Sequence, residues 1–258
     1  MLLFVRLLDS DREGTDRAHR EGEAASSAGP VPESAATVLE VIEHRRTVRR
    51  FRRTPVPSEH LTAILEAARY APTAGNQQPW RFLVVRDREK LDRLEKRALQ
   101  WYLERLGEAD AARGVDVDSI RAGTERLLDG ALSAPVYVAV LVDREAPYKQ
   151  YLIHDGTLAA GYLMIAARAL GYGTGFFTTF FPEGPMKEFF DIPDRYSLIC
   201  FTPIGVPEAW PEMPSKKPLE ALVVFETFAA EGSEAEHRGS SVVGPSPARR
   251  YRRTGGVQ

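Results

Sequence analysis

Hydrophobic residues in the middle of the chain recur at two spacings, of which the helical one is the more extensive. In the segment 36–46, Val38, Leu39 and Ile42 fall on one face of a helix. A second helical pattern begins at Ser58, whose hydroxyl suits an N-cap, and is stopped by Pro72. Three further stretches are predicted to be helical, and the last is almost wholly apolar and therefore predicted to be buried: 88–112, 119–130 and 150–170.

Four shorter apolar runs have the length and the β-branched content of strands. One of them, PVYVAVLVD, is continuously apolar, which is typical of a central strand covered on both faces. Helices and strands follow one another without strict β–α–β alternation, so the pattern predicts an α+β layered fold. The predicted strands are 81–87, 135–143, 197–205 and 221–228.

Both ends of the chain lack these periodicities. They are rich in Asp, Glu, Arg, Ala, Ser, Gly and Pro, and cannot bury enough apolar surface to offset the entropy of ordering. The sequence therefore predicts disordered tails at 1–35 and 230–258, around a single domain at 36–229. The short apolar start, MLLFVRLL, is interrupted by Arg6 and lacks the cleavage site of a signal peptide.

Composition narrows the class of protein. The 258 residues are 43% hydrophobic and 27% charged, as in soluble globular proteins, and no run approaches the ~18 apolar residues of a membrane span. The net charge of −2 argues against a general preference for nucleic acid or anionic membranes. The single cysteine, Cys200, indicates a reducing compartment, so a cytoplasmic location is expected. Its apolar neighbours favour core packing over a role as nucleophile.

The segment HRRTVRRFRR, residues 44–53, concentrates six arginines around Thr47, Val48 and Phe51. A solvated basic face and a nucleic-acid backbone contact are two interpretations. A third is an anion site, because the planar guanidinium donates two parallel hydrogen bonds and stays charged. The segment alone leaves all three open.

The stretch APTAGNQQPW, residues 71–80, places a glycine turn and three amides between a helix and a strand. Amides that carry both a donor and an acceptor suit the mixed edge of a heteroaromatic ring. The stretch is also compatible with a loop that caps itself, and the sequence alone favours neither interpretation.

Later polar features are less specific. The glycines of ALGYGTGFF follow a helix and do not have the dinucleotide-binding spacing, so Gly171 is predicted to cap that helix. His154 and Asp155 could form an acid–base pair, but a capping or packing role is favoured. The pair Lys216–Lys217 is typical of a solvated surface and could also bind a phosphate. Motifs for zinc, P-loop and α/β-hydrolase sites are absent from the sequence.

Taken in order, these segments resemble the FMN-dependent nitroreductase family over roughly residues 36–228. The most specific parts are IEHRRTVRRF and APTAGNQQPW, and AARALGYGTG, PIGVP and KKPLEALV agree with later blocks of the family. The resemblance implies a layered α+β sandwich with a mostly antiparallel sheet flanked by helices. It also implies a homodimer that binds FMN at the subunit interface.

Site residues follow from the same resemblance. Arg45, Arg46 and Thr47 would hold the FMN phosphate and neighbouring polar atoms, and Arg49 would lie near the pyrimidine edge of the flavin. The remaining positions are expected to contact the cofactor in three groups: Thr73, Ala74 and Asn76 from the opposite subunit, Phe177, Thr178 and Thr179 along the ring, and Ser215, Lys216 and Lys217 at the phosphate. Pro72 is a further expected contact.

The implied activity is an oxidoreductase that takes hydride from NADH or NADPH and reduces nitroaromatics, quinones or related acceptors by a ping-pong mechanism. The flavin would carry the chemistry, so no catalytic side chain, metal, nucleic acid or membrane is expected. Reductive dehalogenation and oxygen-dependent flavin breakdown on the same fold are alternatives, with residues 100–130, including Trp101 and Tyr102, as the expected lid. A non-enzymatic nucleic-acid-binding protein is a more distant alternative.

Overall fold

The computed structural model describes residues 33–111, 118, 121, 122, 125, 128, 130, 132–178 and 181–228. Its sheet has four antiparallel strands: β1 (Trp80–Val85), β2 (Val136–Asp143), β3 (Gly173–Thr174) and β4 (Tyr196–Gly205). Their order in the sheet is β1-β2-β4-β3. Trp80 pairs with Val142 and Val85 with Tyr137 where β1 meets β2. A bulge at Val140/Leu141 interrupts the pairing of β2 with β4.

Five α-helices with described bounds accompany these strands, besides the helical residues at 118, 121, 122, 125, 128 and 130. The chain divides after Glu43 into two units, so the first helix, Glu33–His44, is described by itself, with Val38, Leu39 and Ile42 exposed. None of the described helices is long and apolar enough to cross a membrane. The helices are α1 (Glu33–His44), α2 (Ser58–Arg69), α3 (Arg88–Ala111), α4 (Leu152–Ala169) and α5 (Glu183–Phe190).

Strand β2 is buried along its whole length, as its continuous apolar run predicts. Alternate side chains point to opposite faces, so the strand contributes to two hydrophobic clusters. Tyr137, Ala139 and Leu141 pack with residues of α3 and α5 on one face. Val138 and Val140 pack with residues of α2 and α4 on the other. The α+β layered sandwich is therefore confirmed.

Cys200 belongs to the second cluster and is fully buried. Burial raises the pKa of its thiol to about 12, and its sulfur lies 3.3 Å from Thr202 Oγ1. A thiol held protonated in the core is not a nucleophile at neutral pH. The core-packing interpretation is confirmed.

The predicted last strand, 221–228, is wrong for the isolated chain. A short 3-10 turn occupies Leu219–Ala221, and the residues that follow are irregular and exposed. Phe225 is 65% exposed and Phe228 is 87% exposed. A strand needs a neighbour for its backbone hydrogen bonds, and this segment is paired with no strand of the described chain.

The prediction that the helix at 150–170 is buried is correct for only one of its faces. Ala159, Ala160 and Leu163 are fully buried, whereas Ile153 is 70% and Leu158 is 42% exposed. An apolar sequence indicates apolar surroundings, but one chain covers only the side of α4 that faces the sheet. The end of the helix is as predicted: Gly171 has φ +84, and Tyr172 N–H donates to Ala167 C=O at 2.9 Å, as in a Schellman cap.

Other boundaries differ by small amounts. Helix α1 begins at Glu33, so residues 33–35 are helical, whereas the sequence predicts them to be part of the N-terminal tail. Pro57, rather than Ser58, is the N-cap of α2, and the Ser58 hydroxyl instead accepts a hydrogen bond from Arg86. Residues 118, 121, 122, 125, 128 and 130 are helical, which agrees with the helix predicted at 119–130. The remainder of both predicted tails lies outside the described residues.

Candidate functional site

The basic segment after α1 is held in place by its apolar residues. Val48 and Phe51 are 1% and 2% exposed. Val48 N–H donates to Thr174 C=O at 2.8 Å, and Phe51 N–H donates to Ser133 Oγ at 3.0 Å. Thr47 therefore lies beside Thr174 of β3 as an isolated parallel bridge. The segment runs along the edge of the sheet at the C-terminal end of α4.

The anchoring of Val48 and Phe51 determines where the charges lie. Arg45, Arg46 and Thr47 are half-buried, and Arg49 is exposed. The guanidinium of Arg46 donates to its neighbour's carbonyl, Arg45 C=O, at 2.9 Å. An anion that approached this edge would meet several cationic groups on one short extended segment.

Trp210 contributes an aromatic side chain beside the basic segment, a contact that the sequence did not predict. The Arg168 guanidinium lies 3.9 Å from the centre of the Trp210 ring. Thr47 and Arg49 line a surface cleft together with Trp210 and its neighbour Pro211. In the sequence, the only indication of this contact was a tryptophan within the proline-rich run EAWPEMP.

The loop after α2 has an unusual backbone. Gly75, Asn76 and Gln78 have φ values of +54°, +56° and +46°. Left-handed conformations are uncommon for residues other than glycine, and they persist where surrounding contacts hold them. The loop is therefore held by other parts of the fold.

Asp155, near the N-terminus of α4, is the principal contact of this loop. Its carboxylate accepts hydrogen bonds from Thr73 Oγ1 at 2.9 Å, Ala74 N–H at 3.1 Å and Gln77 Nε2 at 2.7 Å. It is 3% exposed. The neighbouring His154 ring instead packs edge-on against Tyr151, at 6.2 Å between centroids. His154 and Asp155 thus contact different groups, as the favoured structural role implies, but Asp155 performs that role by accepting hydrogen bonds from the loop and not by capping its helix.

The three amides of the loop have different roles. Gln77 exchanges hydrogen bonds with the backbone of Tyr148: Tyr148 N–H donates to Gln77 Oε1 at 2.8 Å, and Gln77 Nε2 donates to Tyr148 C=O at 3.2 Å. Since Gln77 Nε2 also donates to Asp155, both of its N–H groups are used inside the protein. Asn76 and Gln78 are exposed, and Gln78 Nε2 donates to Asn76 Oδ1 at 3.2 Å. Of the three amides, these two are oriented outward.

The basic segment and the loop lie at opposite ends of α4. Asp155 holds the loop near the start of the helix, and Thr174 holds the basic segment just beyond its end at Ala169. At 1.5 Å per residue, Asp155 and Ala169 are about 21 Å apart along the helix axis. One chain therefore does not bring the two segments together.

The remaining predicted site residues are placed as follows. Phe177 is 5% exposed, packs in the core, and uses its carbonyl to accept from Phe201 N–H at 2.9 Å, so its ring does not line an open site. Pro72 and Thr178 are exposed, and Thr179 lies outside the described residues. Ser215, Lys216 and Lys217 are exposed in an irregular stretch that follows β4.

Comparison with known proteins gives one family. Residues 42–206 match the model of the nitroreductase family. A Streptomyces coelicolor protein named NADH dehydrogenase/NAD(P)H nitroreductase is 33% identical over 193 residues, which cover 73% of this chain and 94% of the relative. A Rhodospirillum rubrum 5,6-dimethylbenzimidazole synthase is 28% identical over 178 residues, with 65% and 80% covered.

A solved structure gives the same result. Oxidised iodotyrosine deiodinase, in a crystal structure with FMN and 3-iodo-L-tyrosine, superimposes with a TM-score of 0.58 and 27% identity. The match covers 74% of this chain and 100% of the deiodinase chain. The range matched by the family model, 42–206, includes all four strands of the sheet and helices α2, α3, α4 and α5.

Proposed function

The chain belongs to the nitroreductase family of flavin oxidoreductases, and we propose that it binds FMN, takes hydride from NADH or NADPH, and reduces nitroaromatics, quinones or related electron-poor acceptors. When bound, FMN supplies the hydride chemistry. The protein's own residues bind and orient the cofactor and leave the acceptor site open.

The observation that carries this proposal is the presence on one chain of a cationic segment, residues 44–53, and a polar loop, residues 73–78. Arg45, Arg46 and Thr47 offer charge and a hydroxyl on one extended stretch, which suits a phosphate dianion. Arg49 is exposed beside them and suits the pyrimidine edge, where reduction of a flavin adds negative charge. The donor set therefore fits FMN.

The separation of the two segments supports a homodimer with shared sites. Arg49 and the loop residues Thr73, Ala74 and Asn76 are all assigned to the flavin, yet they lie at opposite ends of α4 in one chain. A two-fold axis across the exposed face of α4 makes the two α4 helices antiparallel. The loop of one subunit then lies beside the basic segment of the other.

Exposed apolar surface supports the same assembly. Ile153, Leu158 and Tyr162 leave α4 with an uncovered apolar face. The arm at 208–228 is exposed throughout and includes Phe225 and Phe228. Apolar surface of this extent is typical of a protein interface. In the proposed dimer the arm packs on the partner and carries Ser215, Lys216 and Lys217 to the phosphate.

An absorbance spectrum of the purified protein tests the proposal. We expect a flavin band near ~450 nm, a general property of the oxidised cofactor, that bleaches when NADH or NADPH is added without oxygen and returns with a nitroaromatic or quinone. A colourless protein that cannot be reconstituted with FMN contradicts the proposal. Salt-dependent DNA affinity in such a protein would favour nucleic-acid binding instead.

Reductive dehalogenation and oxygen-dependent flavin breakdown, the two alternative activities on this fold, are distinguished from the proposed one by their substrates. One relative is a deiodinase and another a benzimidazole synthase. We expect the reduced protein to turn over nitroaromatics or quinones faster than iodinated phenols, and to consume no FMN during reoxidation by oxygen. Faster loss of iodide, or stoichiometric loss of FMN, would assign one of the alternatives.

A further inference from the structure

The loop at 73–78 has a conformation that its own sequence does not favour. Asn76 and Gln78 adopt left-handed φ values without being glycine, which costs roughly 1 kcal/mol per residue. A free loop of this composition samples many other conformations. The observed one therefore depends on contacts from outside the loop.

The Asp155 carboxylate supplies the largest set of these contacts. It is 3% exposed and accepts three hydrogen bonds from the loop, from a hydroxyl, a backbone N–H and an amide. Hydrogen bonds to an ionised acceptor are roughly twice as strong as neutral ones. All three donors lie between Thr73 and Gln77, immediately around the left-handed turn.

Tyr148 provides a second restraint on the other side. Its backbone is bonded in both directions to Gln77, and its ring lies against Gly75 so closely that a Cβ there would fall 2.3 Å from the ring. Gln77 therefore joins Asp155 and Tyr148 and has no N–H left for a ligand. Asn76 and Gln78 project outward as a consequence.

We propose that Asp155 is a positioning residue that holds residues 73–77 in the cofactor-binding conformation before FMN arrives. The inference rests on the proposed function and adds a residue that does not itself touch the flavin. A preformed loop binds more tightly because the ligand does not have to order it. Gln77 acts with Asp155 as a connector to Tyr148 and not as a flavin contact.

The test uses Asp155→Asn, which keeps the shape of the side chain and removes its charge. We expect the dissociation constant for FMN, measured by quenching of flavin fluorescence, to rise about 10- to 100-fold. In the FMN-free protein, amide hydrogen exchange of residues 73–78 should become faster, while exchange in β2 stays unchanged. The exchange measurement reads the loop directly and needs no cofactor.

Asp143→Asn is the matched control. Asp143 is 9% exposed and bonded to Arg195, and none of its side-chain bonds goes to residues 73–77. We expect this variant to be less stable but to keep its FMN affinity and loop exchange. If Asp155→Asn fails to fold, Gln77→Ala, at the half-buried edge of the network, tests the same claim and is expected to raise the dissociation constant.

The outcomes separate the two claims. Wild-type protein that binds no FMN overturns both the proposed function and this inference. Tight FMN binding by the wild type, with equal affinity and equal loop exchange in Asp155→Asn, overturns the inference alone. A loss of affinity that Asp143→Asn shares also overturns it, since general destabilisation then accounts for the effect.

Discussion

Residues of the same type have different roles here according to what lies next to them. Gln77 is bonded inside the protein, whereas Asn76 and Gln78 are exposed one position away on either side. Asp143 forms an ion pair with an arginine, whereas Asp155 accepts hydrogen bonds from three neutral donors of a loop. The residue types indicated that this region forms hydrogen bonds, and the hydrogen-bond partners determined whether each side chain has a structural role or is available to a ligand.

Arg45→Ala is expected to weaken FMN binding by about 10- to 100-fold, because a charge-assisted hydrogen bond to a phosphate is lost. Arg52→Ala is the matched control, since Arg52 lies exposed on the same segment outside the assigned contacts. Titration of flavin fluorescence with each variant measures the difference. Retention of wild-type affinity in Arg45→Ala would refute the phosphate assignment.

The ion pair of Asp143 predicts a dependence of stability on pH. Hydrogen bonding from Arg195 lowers the pKa of the Asp143 carboxyl below its usual 3.8. The folded state therefore favours the ionised form, so the stabilisation is present above about pH 4 and is lost as the pH falls through the lowered pKa.

Thermal unfolding of the wild type and of Asp143→Asn should show this effect. We expect the wild type to have the higher Tm at pH 7, and the difference to shrink towards pH 3. All other carboxyl groups are common to the two proteins, so the difference in Tm isolates the contribution of the Asp143 carboxylate and its ion pair. A Tm difference that stays constant from pH 7 to pH 3 would contradict the assignment.

At the scale of elements, α4 connects the sheet to both parts of the site. Its buried face packs on β2 and β4, its first turn holds the loop, and its end leads to the strand that holds the basic segment. Gly156 allows this close packing, since a Cβ there would lie 2.5 Å from Ile199 Cγ1 and 2.7 Å from Val142 Cγ1.

Gly156→Ala should lower the free energy of unfolding by about 1–3 kcal/mol, because the added methyl group overpacks the contact of helix and sheet. Gly184→Ala is the control: it lies in α5 with no atom within 4 Å of an added Cβ. Its gain in helix propensity should stabilise the protein by up to about 1 kcal/mol. Urea unfolding measures both changes, and equal effects would contradict the packing argument.

For the whole molecule, the proposed two-fold arrangement makes a prediction about mixed subunits. Arg45→Ala damages the basic segment, and Gly75→Val damages the loop, since its Cβ would collide with Tyr148 at a left-handed φ. Each variant alone is expected to bind FMN poorly. In a mixed dimer with sites shared between subunits, one site carries both defects and the other carries neither.

We therefore expect mixing of the two variants, after dissociation and reassembly, to restore FMN binding to one site per mixed dimer. Wild-type dimers and each variant treated alike are the controls, and FMN content per dimer is the measurement. If each site lay within one subunit, every site would keep one defect and mixing would restore nothing. A monomer in light scattering would contradict the arrangement outright.

The sequence by itself determined the elements and the family. Continuous apolar residues predicted that β2 is buried on both faces, and helical spacing predicted α2, α3 and α4, because periodicity records which side chains must avoid water. The segments HRRTVRRF and APTAGNQQPW, together with AARALGYGTG, PIGVP and KKPLEALV, indicated the nitroreductase family, since the chemistry and order of such segments are properties of the sequence itself.

Only the tertiary structure decided which residues meet. The bonds from Asp155 to Thr73, Ala74 and Gln77 join positions about 80 residues apart, and no periodicity encodes such a pair. The predicted strand at 221–228 is wrong for a related reason. Its apolar residues indicate that the segment is to be covered, but they do not indicate which part of the protein covers it. The spacing of apolar residues determines which side chains must be buried, and the three-dimensional arrangement of the chain determines which residues cover them.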